Sequence, residues 1–228
     1  MCVNFRSART AEIEAILADD IQGDIYPSRE VWPGYTAALV RRDRDTGKRV
    51  AESAIFGLIP HWSRDTKIVR STYNARSETV AEKASFKTAW KNARFCLIPM
   101  EQYYEPNWET GKAVRWSLKR KGVESFCVAG IYSWWKGEGH LDGIASFSLL
   151  TVNADGDPLL KRFHGPDDEK RSIVHITPDE YDAWLDASPE LARAMLQVPN
   201  DEDLEVAPSP APLRTPKATP KRSSPLLD

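Results

Sequence analysis

The 228-residue sequence has three cysteines, Cys2, Cys96 and Cys127, and they form neither a CxxC pair nor a metal-ligand spacing. A disulfide framework and a zinc ribbon are therefore excluded as organising devices. There is no Gly-rich phosphate loop and no cluster of metal-ligand residues, so no cofactor and no metal is expected. A long apolar run and a signal-peptide pattern are also missing, which predicts a cytoplasmic protein with reduced thiols and no membrane contact. Excess positive charge is absent too. The formal net charge is −2, and from Val206 onward Arg214, Lys217, Lys221 and Arg222 outweigh Asp228, leaving about −5 on residues 1–205. Such a chain cannot coat nucleic acid by bulk electrostatics; any nucleic-acid contact needs a local basic groove and a fitting shape.

What is present suffices to fold. Hydrophobic residues make up 41% of the chain, enough for a real core, and the length suits one large domain with an appendage. Eight tryptophans are more than a core of this size requires, and some are expected on a surface that stacks on flat ligands.

Residues 11–19 carry apolar side chains at helical spacing. Tyr35–Val40 and Val50–Ile59 read as strands joined by a charged hairpin turn, RRDRDTGKR. Thr79–Ala93, rich in Ala, Glu and Lys and free of Gly and Pro, predicts a helix. Arg94–Met100, Ala113–Arg120, Ser125–Trp134 and Ala145–Val152 read as strands, and Ser172–Ile176 as a shorter one. Helix starts are marked by Asp157-Pro158, Thr177-Pro178-Asp179-Glu180 and Ser188-Pro189. Many strands without regular βαβ alternation predict an α+β fold: a single domain around a strongly curved mixed or antiparallel, barrel-like sheet with peripheral helices. The domain is expected over residues 1–205. Residues 206–228, Pro-, Ser- and Lys-rich, read as a disordered tail.

Four places hold chemistry-bearing residues. After removal of Met1, Cys2 has an α-amine and a thiol on one residue; the amine titrates near ~7.7–8.0 and is partly neutral at cellular pH. That pair closes a thiazolidine on an aldehyde or, alternatively, attacks an acyl group as N-terminal-nucleophile hydrolases do. Tyr73–Thr79 packs Asn74, Arg76, Ser77 and Glu78 into a polar knot before the predicted helix, where a phosphate clamp or a simple cap both fit. Glu105 leaves an apolar strand among Tyr103, Tyr104 and Pro106, a setting that desolvates an acid. His164, beside the Gly165-Pro166 turn, brings an imidazole, the side-chain type suited to a proton shuttle. His175, inside an apolar run, reads as a core histidine.

Together, Met1-Cys2, FGLIPHW at 56–62, NARSET at 74–79, CLIPMEQYYE at 96–105, TVNA at 151–154 and His164 resemble the SOS-response-associated peptidase family, also described as abasic-site processing proteins. The resemblance covers roughly residues 1–190. It implies that Cys2 traps the ring-opened aldehyde of an abasic site in single-stranded DNA as a thiazolidine, with Asn74 orienting it. Glu105 then promotes sugar-ring opening and proton transfer, and His164 assists proton transfer at the Schiff-base stage and slow reversal of the crosslink. It extends DNA contact to Arg76, Trp62, Trp108, Thr151 and Arg171, and a monomer is expected. An N-terminal-cysteine amidohydrolase and a non-covalent single-strand-binding module are the alternatives. The chain departs from the family pattern in three places. Val3-Asn4 stands for Gly-Arg, Pro106 for a Trp, and Gly165–Lys170 is inserted after His164, so an altered grip on DNA is expected.

Overall fold

The computed structural model describes residues 2–17, 20–21, 28–137 and 143–210. Its centre is a closed barrel of five strands: β4 (Thr36–Arg42), β5 (Arg49–Phe56), β7 (Phe95–Asn107), β9 (Phe126–Trp135) and β10 (Ile144–Asn153). Around the ring, β9 pairs antiparallel with β10, β10 parallel with β5, β5 antiparallel with β4, β4 antiparallel with β7, and β7 antiparallel with β9. Closure leaves these strands no open edge. The α+β, barrel-like single domain read from the sequence is thus observed. Among the described residues, no helix is long and apolar enough to cross a membrane.

The barrel interior is filled by alternate side chains of the five strands, among them Leu39, Phe56, Ile98, Val128, Phe147 and Leu149. Gly130 on β9 belongs here, because a Cβ at this position would come within 2.9 Å of Cys96 Sγ. The opposite faces carry Val40, Phe95, Leu97 and Ile131 outward, where helices cover them. These helices are α1 (Thr10–Leu17), α2 (Lys87–Lys91), α3 (Tyr181–Leu185) and α4 (Pro189–Met195). Trp184 of α3 has no exposed surface, lies 5.0 Å from the Phe95 ring and donates Nε1–H to the Cys96 carbonyl at 2.9 Å. Thr177 and Glu180 form the expected capping box, and Ser188 caps α4.

Three expectations are corrected. The helix over Thr79–Ala93 is replaced by successive turns and the short α2. NARSET therefore precedes no helix; Asn74–Arg76 is a strand, β6, running parallel to β10. Glu105 does not end a strand at its edge but lies within β7, which is much longer than predicted. β7 turns inside the barrel up to Met100 and then continues between two outer strands, β1 (Asn4–Ser7) and β8 (Val114–Arg120). The hinge is a bulge: Arg6 pairs with Gln102 and Ser7 with Met100, so Glu101 is the extra residue. β1 in turn pairs with β3 (Glu30–Val31).

Shorter strands complete the sheet. β2 (Asp20–Ile21) pairs with β5, and β11 (Arg171–Ile173) and β12 (His175–Ile176) pair with β10 and β9. β13 (Leu204–Pro208) pairs with β8 and runs across the boundary drawn at residue 205. Residues 211–228 lie outside the described residues.

Candidate active site

The site forms where β7 leaves the barrel. Phe5 of β1 is fully buried, opposite Val31 on one side and Tyr103 on the other, and its ring meets Phe56 edge-on at 5.4 Å. This anchor draws the residues before it inward, and Cys2 is only 1% exposed. The Cys2 carbonyl accepts a hydrogen bond from Asn74 Nδ2 at 2.8 Å, and its thiol donates to the Asn4 carbonyl at 3.5 Å. Asn74 is placed by the barrel wall, since it opens β6 opposite Leu149 of β10. Its Oδ1 is buried and has no hydrogen-bond partner among the described residues.

Glu105, buried on β7, is held between strands because its backbone pairs with Trp116 of β8. His164 reaches it from a separate loop. Asn107 and Phe163 form a β-bridge, the His164 N–H donates to the Pro106 carbonyl at 2.8 Å, and His164 adopts a left-handed backbone with φ of 70°. That conformation is uncommon for a residue with a side chain, and here it brings Nε2 to 3.2 Å from Glu105 Oε2. Pro106, the departure from the family's Trp, supplies the carbonyl that holds His164.

Burial pushes the Cys2 thiol well above the ordinary thiol range, and the nearby Glu105 carboxylate adds to this. The positive amino terminus and backbone groups of Tyr104 and Asn4 offset only part of it. The thiol is therefore protonated at rest. Tyr73, which the sequence reading passed over, also faces this site: its hydroxyl is raised by burial and then by Cys2 and Glu105, and its ring meets Phe56 at 5.8 Å. Its place immediately before Asn74 was the available signal.

The residues expected to touch DNA are sorted by exposure. Trp62 is 49% exposed, with Nε1–H donating to the Ala84 carbonyl at 3.3 Å, and offers a ring face to solvent. Trp108 is only partly exposed, with its Nε1 buried. Arg76 is exposed and paired with Glu169. Thr151 and Arg171 are not at the surface. The Arg171 side chain is 1% exposed and donates to Thr151 Oγ1, the Thr151 carbonyl, Glu78 and Glu169. A direct phosphate contact is closed to it in this arrangement, and it braces β10 and β11 instead. Asn4, in place of the family's Arg, is buried and donates to Glu30 Oε1 at 2.7 Å. A guanidinium is still close by: Arg115 pairs with the same Glu30 and lies 3.3 Å over the Tyr104 ring. Among the described residues no group of three or more His, Cys, Asp or Glu side chains is placed to hold a metal ion.

Residues 1–211 match the family described as SOS response associated peptidase, SRAP. The chain is 27% identical over 188 residues to the abasic site processing protein YoqW of Bacillus subtilis (strain 168), covering 81% of this chain and 79% of that protein. It is 26% identical over 211 residues to the abasic site processing protein YoaM of the same organism, covering 91% and 87%. A crystal structure of a protein from Bordetella bronchiseptica superposes with a TM-score of 0.82 at 29% identity, over 92% of this chain and all of that one. Given a family match that takes in the barrel, the outer strands and every site residue above, the chain belongs to the SRAP family.

Proposed function

We propose that this protein captures abasic sites in single-stranded DNA as a covalent thiazolidine on Cys2, after Met1 has been removed. The observation that carries the reading is the placement of Cys2 by Asn74 at 2.8 Å beside the Glu105–His164 contact at 3.2 Å. An aminothiol, an amide and an acid–base pair are then close together, and the family's relatives YoqW and YoaM are named for abasic site processing.

The chemistry balances without a cofactor. The Cys2 amine adds to C1′ of the open-chain sugar aldehyde, and the carbinolamine loses water to give a Schiff base. The Cys2 sulfur then adds to C1′ and its proton passes to the nitrogen, closing a five-membered ring. Aldehyde plus aminothiol thus becomes thiazolidine plus one water. Glu105, with His164, moves the protons that open the sugar and expel water. The buried Asn74 Oδ1 is an acceptor for the new amine or for a sugar hydroxyl.

The test is a denaturing gel of the untagged protein with a single-stranded oligonucleotide carrying one abasic site. Wild type should give a heat-stable, slow-migrating band that an undamaged strand does not. Cys2→Ala should give none, and Glu105→Gln should slow band formation by about 10²–10⁴-fold. A Cys2→Ala band as strong as wild type would sink the reading.

A further inference from the structure

Arg76 and Glu169 meet at the edge of this site. Arg76 closes β6, two residues beyond Asn74, and its guanidinium side chain is 49% exposed. Its Nη1 lies 2.8 Å from Glu169 Oε2, while Glu169 Oε1 accepts from Arg171 Nη1 at 2.6 Å and Asn153 Nδ2 at 3.2 Å. Glu169 is therefore an anion with both oxygens on cationic or polar donors, the arrangement a phosphate takes between two arginines.

Glu169 sits in the Gly165–Lys170 insertion that directly follows His164, and that loop is braced. The Gly165 N–H donates to Asp168 Oδ2 at 3.1 Å, the Lys170 ammonium to the Gly165 carbonyl, and the Lys170 N–H to Asp155 Oδ1 at 2.8 Å. Arg171 has other partners in Glu78 and Thr151, so it does not depend on Glu169 alone. Arg76, by contrast, has its charge met by Glu169.

We propose that Glu169 is a built-in competitor for the DNA backbone: it occupies Arg76 in the free protein and must give way before a phosphate flanking the lesion can bind there. The inference rests on the reading of Arg76 as a strand-facing cation. It makes the insertion a determinant of affinity rather than of chemistry. It also has a salt signature. When a phosphate displaces Glu169 from Arg76, one ion pair replaces another, and salt screens the intramolecular pair, so the competition is strongest at low salt. Without the carboxylate charge the competition is absent.

The experiment measures binding of a fluorescent undamaged single strand by anisotropy across a salt series, with thermal melts run in parallel to show that each variant is folded. Glu169→Gln keeps an oxygen for Arg171 and removes the charge. It should bind about two- to fivefold tighter at low salt, and because that gain shrinks as salt screens the competing pair, its plot of log affinity against log salt should be steeper than that of wild type. Asp167→Asn, which neutralises an exposed acid in the same loop, should leave the slope unchanged, and the Glu169→Gln gain should vanish in an Arg76→Ala background. Equal affinities and slopes for wild type and Glu169→Gln overturn the proposal, as does a gain that survives Arg76→Ala or appears equally with Asp167→Asn. If the proposal fails while wild type still crosslinks the lesion, the functional reading stands. If wild type neither binds the strand nor crosslinks, both fall.

Discussion

His164 turns through a left-handed backbone to meet Glu105, whereas His175 lies on β12 with its ring 4.5 Å from Phe126 and 5.9 Å from Tyr103. The second histidine, expected in the core, is half-buried at its edge, and burial first and the positive Arg120 second hold it down at about 3. An unperturbed imidazole titrates near 6.5. Below about pH 6.5 the unfolded chain takes up a proton that the folded chain refuses, so stability falls with pH from there down to about pH 3. The cost is about 1.4 kcal/mol per pH unit, or about 2 kcal/mol at pH 5. Urea denaturation at pH 7 and pH 5 should show this loss in wild type and much less of it in His175→Phe; an identical loss in both would assign the pH dependence elsewhere. The candidate site residues were legible, because an N-terminal cysteine, an acid and an imidazole announce themselves by type. Exposure was not. Arg171 and Trp62 both read as DNA contacts, yet one is sealed between β10, Glu78 and Glu169 and the other faces solvent.

At the scale of elements, the hairpin of β4 and β5 and the strands β8, β9 and β10 fall within a residue or a few of where alternation put them. The helix over Thr79–Ala93 does not form, and its buried residues explain why. Val80, Phe86, Ala89 and Trp90 all face the core. On one continuous helix, Val80 would point roughly 120° away from Phe86. Breaking the segment into turns before α2 buries all four, and that gain outweighs the helical propensity of the Ala, Glu and Lys around them. β7 was read only as far as Met100, yet the strand, with Pro99 inside it, runs on past the bulge at Glu101 to Asn107. Gly57, in the FGLIPHW motif, has φ of 114°, and a Cβ there would lie 2.4 Å from the Val69 carbonyl oxygen, so the motif encodes a close crossing. α3 is short but is fixed by Trp184. Trp184→Ala should cost about 3–5 kcal/mol in chemical denaturation, since it deletes a fully buried ring and its hydrogen bond to the Cys96 carbonyl. A cost under about 1 kcal/mol would mean that α3 contributes little to the barrel.

For the whole molecule, the last described strand has an influence beyond its length. β13 covers β8 from Leu204 opposite Arg120 to Pro208 opposite Trp116, and β8 in turn holds Glu105 opposite that same Trp116. A chain ended after Pro210 should melt as the full chain does. Ending it after Asp203 removes buried Leu204 and bares the β8 edge, which should cost at least about 2 kcal/mol and favour self-association. Calorimetry and light scattering on the two truncations check this; equal melting temperatures would place the end of the folded unit before β13. The sequence by itself determined the fold class, most of the strands, the helix caps and the candidate site residues, because these depend on local periodicity and on residue chemistry. Only the tertiary structure decided that Glu105 lies inside a strand, that His164 meets it from another loop, that Arg171 is buried and that Glu169 occupies Arg76. Those facts depend on barrel closure and on charges brought together from distant parts of the chain, and no local pattern carries them.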